Sequence, residues 1–341
     1  LPVYPFQRRR YWGAQPYFRR PRSSINRPAS KNVRQEVERA ISNALGAGVS
    51  LSHEADLWQA GLDSLRVTSA LADLWRALGV RLTPADVVAG PTIDEIVTLI
   101  EARKPLDGTR LVTLREGAGV PLVCIHPAGG DITAYLQLRR SALEGRPLYA
   151  IQTSEVPVSV EAAASRYVRL MREVIADGPV SLLGWSLGGV IAREMAFVME
   201  SDGSVVESVH LVDPPSPETL LDADRIALAG IIGDHNPQPH MDLEVFRETD
   251  PAALLSLCEE KGWLPRGLLD EESFSAQLRL YKGHVALLEG YRPRPVRAGV
   301  RVSWASQSVA SPVWREFSGG RYSEETVDGN HYSILGKVSF F

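Results

Sequence analysis

The stretch "VSLLGWSLGGVIAREMA", residues 180–196, limits the fold more than any other part of the chain. An unbroken apolar run passes through a glycine-flanked serine into a helical apolar period. Strand-to-helix turns are ordinarily closed by Gly, Asn or Asp, so Trp185-Ser186-Leu187 between Gly184 and Gly188 needs a reason beyond turning. A G-x-S-x-G turn supplies one. Small residues two before and two after the serine let strand and helix approach, while the serine is held on a strained bend with its hydroxyl projecting from the sheet. The Leu187 amide, at the helix start, is placed to face a developing oxyanion. The competing reading is a glycine-rich turn with an incidental serine.

The neighbouring segments supply the context. After residue 109, short apolar runs alternate with helical patterns: "PLVCIHPA", "RPLYAIQ", "VSLLGW", "VHLVDP" and "VRVSWAS". These predict buried parallel strands, hence an α/β domain over residues 110–341 with its functional groups at the carboxyl ends of the strands. Residues 216–290 read as helical and lie between two of those strands.

Upstream the grammar is different. Residues 1–27 carry seven arginines and no acid, so the net charge of −4 combines a basic tail with a distinctly acidic remainder. Basic and aromatic residues together suit nucleic acid or an anionic surface. The acidic remainder and the lack of a nucleic-acid fold pattern argue against both, and neither partner is expected. The start at Leu1, without an initiator Met, reads as a piece of a longer polypeptide. Residues 13–30 read as a linker and 104–109 as a second, shorter one.

Between the linkers, over residues 31–103, three apolar stripes recur at helical spacing: Val33, Val37, Ile41, Ala44 and Leu45; Val67, Ala70, Leu71, Leu74 and Leu78; Ile93, Ile96, Val97 and Ile100. They predict a small bundle of three to four helices. Ser64 stands where the second helix should begin, a position that suits an N-cap, with Asp63 favoured at the positive end of the helix dipole.

With 44% hydrophobic residues in 341, the chain has ample material for packed cores, and its length suggests two or three domains. It contains no uncharged apolar run of about 18 residues and its first residues do not form a secretory signal, so a cytoplasmic location is expected. Cys124 and Cys258 fall in apolar patterns and read as reduced core thiols. No CxxC, HExxH or GxxxxGK[ST] pattern is present, and no metal is expected.

A serine hydroxyl is a weak nucleophile at neutral pH and needs a base, which in turn needs a group to orient it. In α/β enzymes of this kind the chain order is serine, acid, histidine. "TVDGNHYSIL" puts His331 just after the last strand-like run. His284, in "YKGHVALLEGY", lies in a helical pattern and reads as a pocket or core residue. His126, in "CIHPAGG", precedes the serine and has the wrong order for a base, but its neighbour Ala128 is placed to give a second oxyanion amide. For the acid, Asp213 ends the strand "SVHLVD", and Asp328 is its rival. Asp202 and Asp222 sit in polar loops or helix starts.

Gly61-Leu62-Asp63-Ser64-Leu65, in a helical unit of this size, resembles the phosphopantetheine attachment site of acyl and peptidyl carrier domains. Leu57-Trp58 stands where such domains often have phenylalanine. The resemblance implies a four-helix carrier bundle with a covalent 4'-phosphopantetheine arm on Ser64, added by a separate phosphopantetheinyl transferase. "HPAGG", "GWSLGG", "LVDPP" and "GNHYSIL", in that order, resemble the type I thioesterase domains that end polyketide and nonribosomal peptide assembly lines. That resemblance implies an α/β-hydrolase fold in which Ser186 is the nucleophile, Asp213 the acid, His331 the base, Ala128 and Leu187 the oxyanion amides, and residues 216–290 the lid. "LPVYPFQRRRYW" resembles the segment closing an acyltransferase domain in modular polyketide synthases, which implies upstream ketosynthase and acyltransferase domains as partners and an acyl thioester as substrate. Fewer than twenty residues separate it from the carrier, too few for a ketoreductase, so a β-ketoacyl chain is expected. A free-standing serine hydrolase with a helical appendage and a non-catalytic docking module are the competing readings.

Overall fold

The computed structural model describes residues 31–46, 51–78, 92–101, 108–140, 145–175, 177–216, 223–235, 250–264 and 271–338, with single positions 82, 87, 266 and 269. The basic tail lies outside them.

Three helices form the first unit: α1 (Lys31–Leu45), α2 (Ser64–Leu78) and α3 (Ile93–Glu101). Val37 and Ile41 from α1, Val67 and Leu74 from α2, and Ile93, Ile96 and Ile100 from α3 are buried together with Leu57, Trp58 and Leu62. One apolar stripe per helix thus meets one shared core. A fourth helix would fall largely on residues outside those described. The start of α2 differs from the sequence expectation. Asp63, not Ser64, is the cap: its Oδ1 accepts from the Arg66 amide at 2.9 Å, and its backbone carbonyl accepts from Val67 N at 2.8 Å. The carboxylate takes the capping role because it sits one residue before the first helical turn, which makes Ser64 the first helical residue.

The second unit is a seven-stranded sheet in the order β1 (Thr109–Arg115), β3 (Leu148–Thr153), β2 (Leu122–Ile125), β4 (Val180–Trp185), β5 (Val206–Val212), β6 (Gly299–Ala305) and β7 (Tyr322–Val327). All neighbouring pairs are parallel except β1 with β3. The five expected parallel strands are present. β1 and β7 complete the two edges, where alternating polar residues such as those of "TRLVTLR" need only one buried face. Between strands run α4 (Val160–Arg172) and α5 (Leu187–Ser201), which pack on one another, with α5 against β2, β4 and β5. Ser159 caps α4 by accepting from Ala162 N at 3.2 Å. Among the described residues between β5 and β6 lie α6 (Ala223–His235), α7 (Pro251–Glu260) and α8 (Glu271–Ala286), helices in a segment whose pattern reads as helical. Cys124 and Cys258 are free and buried. No helix among the described residues is long and apolar enough to cross a membrane.

Strand order sets the position of the site. The chain leaves β2 toward β3 on one side and then crosses to β4 on the other, so the carboxyl ends of β2 and β4 flank a switch in winding direction. Crevices open at such points.

Candidate active site

Ser186 directly follows β4 and adopts φ 57°, ψ −132°. Asp213 directly follows β5 with φ 46°. Among the described residues these are the two non-glycine positions with positive φ. Such strain persists only where surrounding contacts enforce it. At the serine those contacts are steric. A Cβ on Gly184 would lie 2.0 Å from the Gly188 carbonyl carbon and oxygen, and one on Gly188 would lie 2.2 Å from the Ile125 carbonyl oxygen. Only hydrogen fits at either place, so the incoming strand, the outgoing helix and the end of β2 close tightly around the turn. The Ser186 side chain makes no capping hydrogen bond to α5.

The Ser186 amide donates to Val212 O at 2.9 Å, and Trp185 pairs with Val212 in register, which puts Ser186 and Asp213 side by side at adjacent strand ends. Tyr135 ties the other neighbour: its hydroxyl donates to Ile125 O at 2.7 Å and accepts from Trp185 N at 2.8 Å. Residues 126–130, which follow β2, therefore flank the serine turn.

His331 enters from the far end of the chain. Asn330 Oδ1 accepts from the Tyr332 and Ser333 amides at 3.0 and 2.9 Å, which bends the chain after β7. The Trp185 indole donates to the His331 carbonyl at 3.0 Å. The imidazole Nδ1–H donates to Asp213 Oδ2 at 2.6 Å, leaving Nε2 as the proton acceptor. Asp213 is almost fully buried and receives two further donors, Ala305 N on Oδ1 at 2.9 Å and Ser308 Oγ on Oδ2 at 2.7 Å. Burial raises the carboxyl's pKa; the hydrogen bond and charge of His331, with those two donors, outweigh it and hold the group below its ordinary value. The carboxylate is thus ionised and aimed at the imidazole.

The alternatives fall elsewhere. Asp328 is highly exposed and accepts from Ser306 at 3.3 Å, and Asp202 pairs with Arg172 at 3.0 Å on the surface. Asp222 lies outside the described residues. His126 is buried, donating to Pro127 O at 2.7 Å and accepting from the Tyr167 hydroxyl at 2.6 Å. Burial and the neighbouring His284 depress its pKa to about 3, so it stays neutral. His284 is a buried polar contact, as its helical pattern suggested. Ser308 and Trp185 join the site without a sequence signal of their own: one is a loop serine, the other a variable position of the serine turn.

Ala128 and Leu187 are buried at the two edges of the serine turn, Leu187 as the first residue of α5. In the other unit, Gly61 takes a left-handed φ of 112° just before the Asp63 cap. Ser64 is the first residue of α2, so a phosphodiester on its hydroxyl would sit at the positive end of the helix dipole.

A strained serine at the switch point of a mostly parallel sheet, with helices inserted after β5, is the architecture of the α/β-hydrolase-like folds. The chain belongs to the thioesterase domain family, whose profile matches residues 120–339, and the phosphopantetheine attachment site profile matches residues 35–100. The carrier domain so defined bears a covalently attached phosphopantetheine. Similar proteins include a dimodular nonribosomal peptide synthase of Bacillus subtilis (strain 168), 26% identical over 80% of this chain and 12% of its own length. Polyketide synthase PksR of the same organism is 29% identical over 63% of this chain and 9% of its own length. The chain therefore spans about a tenth of these relatives. The fold is also similar to the crystal structure of holo-AB3403, a four-domain nonribosomal peptide synthetase bound to AMP and glycine, with a TM-score of 0.61, 22% identity, and coverage of 94% of this chain and 26% of that one.

Proposed function

We propose that the chain is the carrier and thioesterase portion of a polyketide-type synthase, releasing an acyl chain delivered on Ser64 through a Ser186–His331–Asp213 triad. The observation that carries this reading is the Asp213–His331 hydrogen bond at the strand end beside the strained Ser186. The arm supplies the acyl group as a thioester.

In the first half, Ser186 Oγ attacks the thioester carbonyl and His331 Nε2 takes its proton. Ala128 and Leu187 amides receive the developing oxyanion. The carbon–sulfur bond breaks, the thiol leaves with the proton from His331, and the acyl group remains as an ester on Ser186. In the second half, His331 deprotonates water, which attacks the ester; the carboxylic acid leaves and Ser186 regains its proton. An internal nucleophile of the chain in place of water gives a ring instead, and hydrolysis is the favoured outcome.

The polyketide assignment is supported by the amino-terminal "LPVYPFQRRRYW" and the similarity to PksR, and it carries the expectation of a β-ketoacyl substrate and of ketosynthase and acyltransferase partners. Residues 216–290, between β5 and β6, are read as the lid over the acyl chain. The test is to install matched β-keto and β-hydroxy acyl arms with a phosphopantetheinyl transferase and follow release by mass spectrometry. Release of the β-keto acid, abolished by Ser186→Ala, is expected. Preference for the β-hydroxy chain overturns the substrate assignment, and unchanged release from Ser186→Ala overturns the catalytic one.

A further inference from the structure

We propose that His284 is a positioning residue, tying the helix that precedes β6 to the loop whose Ala128 amide serves the oxyanion. The proposal rests on the reading of Ala128 and Ser186 given above.

His284 is wholly buried on α8. Its Nδ1 lies 2.7 Å from the Ala128 carbonyl oxygen and its Nε2 lies 3.1 Å from that of Glu155. Two carbonyls face a ring that, when neutral, carries a single N–H. Burial lowers the imidazole pKa and outweighs the two carbonyls that raise it, so the ring is neutral and its proton goes to the nearer partner, Ala128.

That bond has a directional consequence. In a trans peptide the C=O and N–H point to opposite sides, so fixing the Ala128 carbonyl on α8 turns the Gly129 N–H away from it. The preceding peptide is held in the same manner: the Pro127 carbonyl accepts from His126 Nδ1 at 2.7 Å and from Gly130 N at 2.9 Å, which sets the direction of the Ala128 N–H. Ala128, whose amide is the oxyanion donor proposed above, is thereby held on both sides: its N–H through the Pro127 carbonyl, its own carbonyl by the inserted helix.

The same helix grips the loop at a second point. Tyr281, one turn before His284, donates its hydroxyl to Asp234, and a Cβ on Gly129 would fall 2.9 Å from that hydroxyl oxygen. Behind the loop, a Cβ on Gly130 would fall 2.3 Å from the Thr153 carbonyl. The loop is wedged between the end of β3 and α8. Gly283 brings the helix in, since a Cβ there would lie 2.6 Å from a Val156 methyl. Placement of the inserted helices over the acyl chain and the setting of Ala128 are therefore mechanically joined through His284.

Two amide substitutions separate this role from mere filling of a buried polar site. In His284→Asn the side-chain N–H reaches the place of Nδ1 and retains the Ala128 contact. His284→Gln reaches the place of Nε2 and serves Glu155 instead. With an acyl N-acetylcysteamine thioester and the full chain, His284→Gln is expected to lower kcat by about 10- to 100-fold, a part of what loss of a whole oxyanion donor costs, with KM within about 2-fold. His284→Asn should keep kcat within about 3-fold of wild type. Equal losses in the two variants, equal retention, or a change confined to KM overturn the proposal. The rate of Ser186 modification by a fluorophosphonate, read on intact folded protein, should follow the same order. A wild-type chain whose Ser186 is not modified removes the underlying serine-nucleophile reading and this proposal with it. Modification at equal rates in wild type and both variants overturns this proposal alone.

Discussion

His331 and Asp213, 118 residues apart in the chain, meet at 2.6 Å because two parallel strand ends and one Asn-capped turn converge on the same edge of the sheet. Asp213→Asn keeps the shape of that contact but removes the charge that stabilises an imidazolium and selects its tautomer. Thioester turnover should fall by about 10⁴-fold, while Asp328→Asn, whose carboxylate is on the surface, should behave as wild type. Steady-state kinetics on a small thioester decide between them.

The serine turn tolerates no extra methyl group. In Gly188→Ala the new Cβ would lie 2.2 Å from the Ile125 carbonyl oxygen and 2.8 Å from that of His126, both backbone atoms without freedom to yield. A loss of about 3 kcal/mol is expected, together with displacement of residues 126–130. Denaturant unfolding of the variant should show a lower midpoint with the usual slope, and wild-type stability would disprove the close packing.

Acid should weaken the hydrolase unit before its carboxylates titrate. His126 and His210 are fully buried, and burial first, aided by His284 and Arg301 respectively, lowers their pKa values to about 3 and about 4. The unfolded chain binds these protons near pH 6.5 whereas the folded one resists them, so stability is retained above that pH and lost as pH falls toward 4. Each histidine should account for about 2 kcal/mol between pH 7 and pH 5. Urea unfolding at the two pH values measures the loss, and His210→Gln should reduce it by about the 2 kcal/mol of that one group.

Since Asp63 caps α2, Ser64→Ala should leave the carrier helix intact while abolishing uptake of phosphopantetheine. Asp63→Ala should cost about 1 kcal/mol of carrier stability. Intact-mass measurement after treatment with coenzyme A and transferase reads the first effect, thermal unfolding of the carrier the second. An alanine at position 64 that still accepts the arm refutes the attachment site.

The amino-acid sequence alone determined the elements whose causes are local. Ser186 and its flanking glycines, the apolar runs of β2 to β6 and the helical stripes of the carrier each depend on neighbours within a few residues, so periodicity and side-chain size reveal them. β1 and Ser308 were less visible: "TRLVTLR" alternates as an edge strand does, and Ser308 is one loop serine among several. Only the tertiary structure decided between Asp213 and Asp328 as partner of His331, gave the cap of α2 to Asp63, and brought His284 onto Ala128. The first and last of these depend on strand order and on a helix arriving from 156 residues away, and the cap depends on where the first helical turn actually begins. Spacing along a chain records periodicity, while the distance between remote side chains is set by how the layers close upon one another.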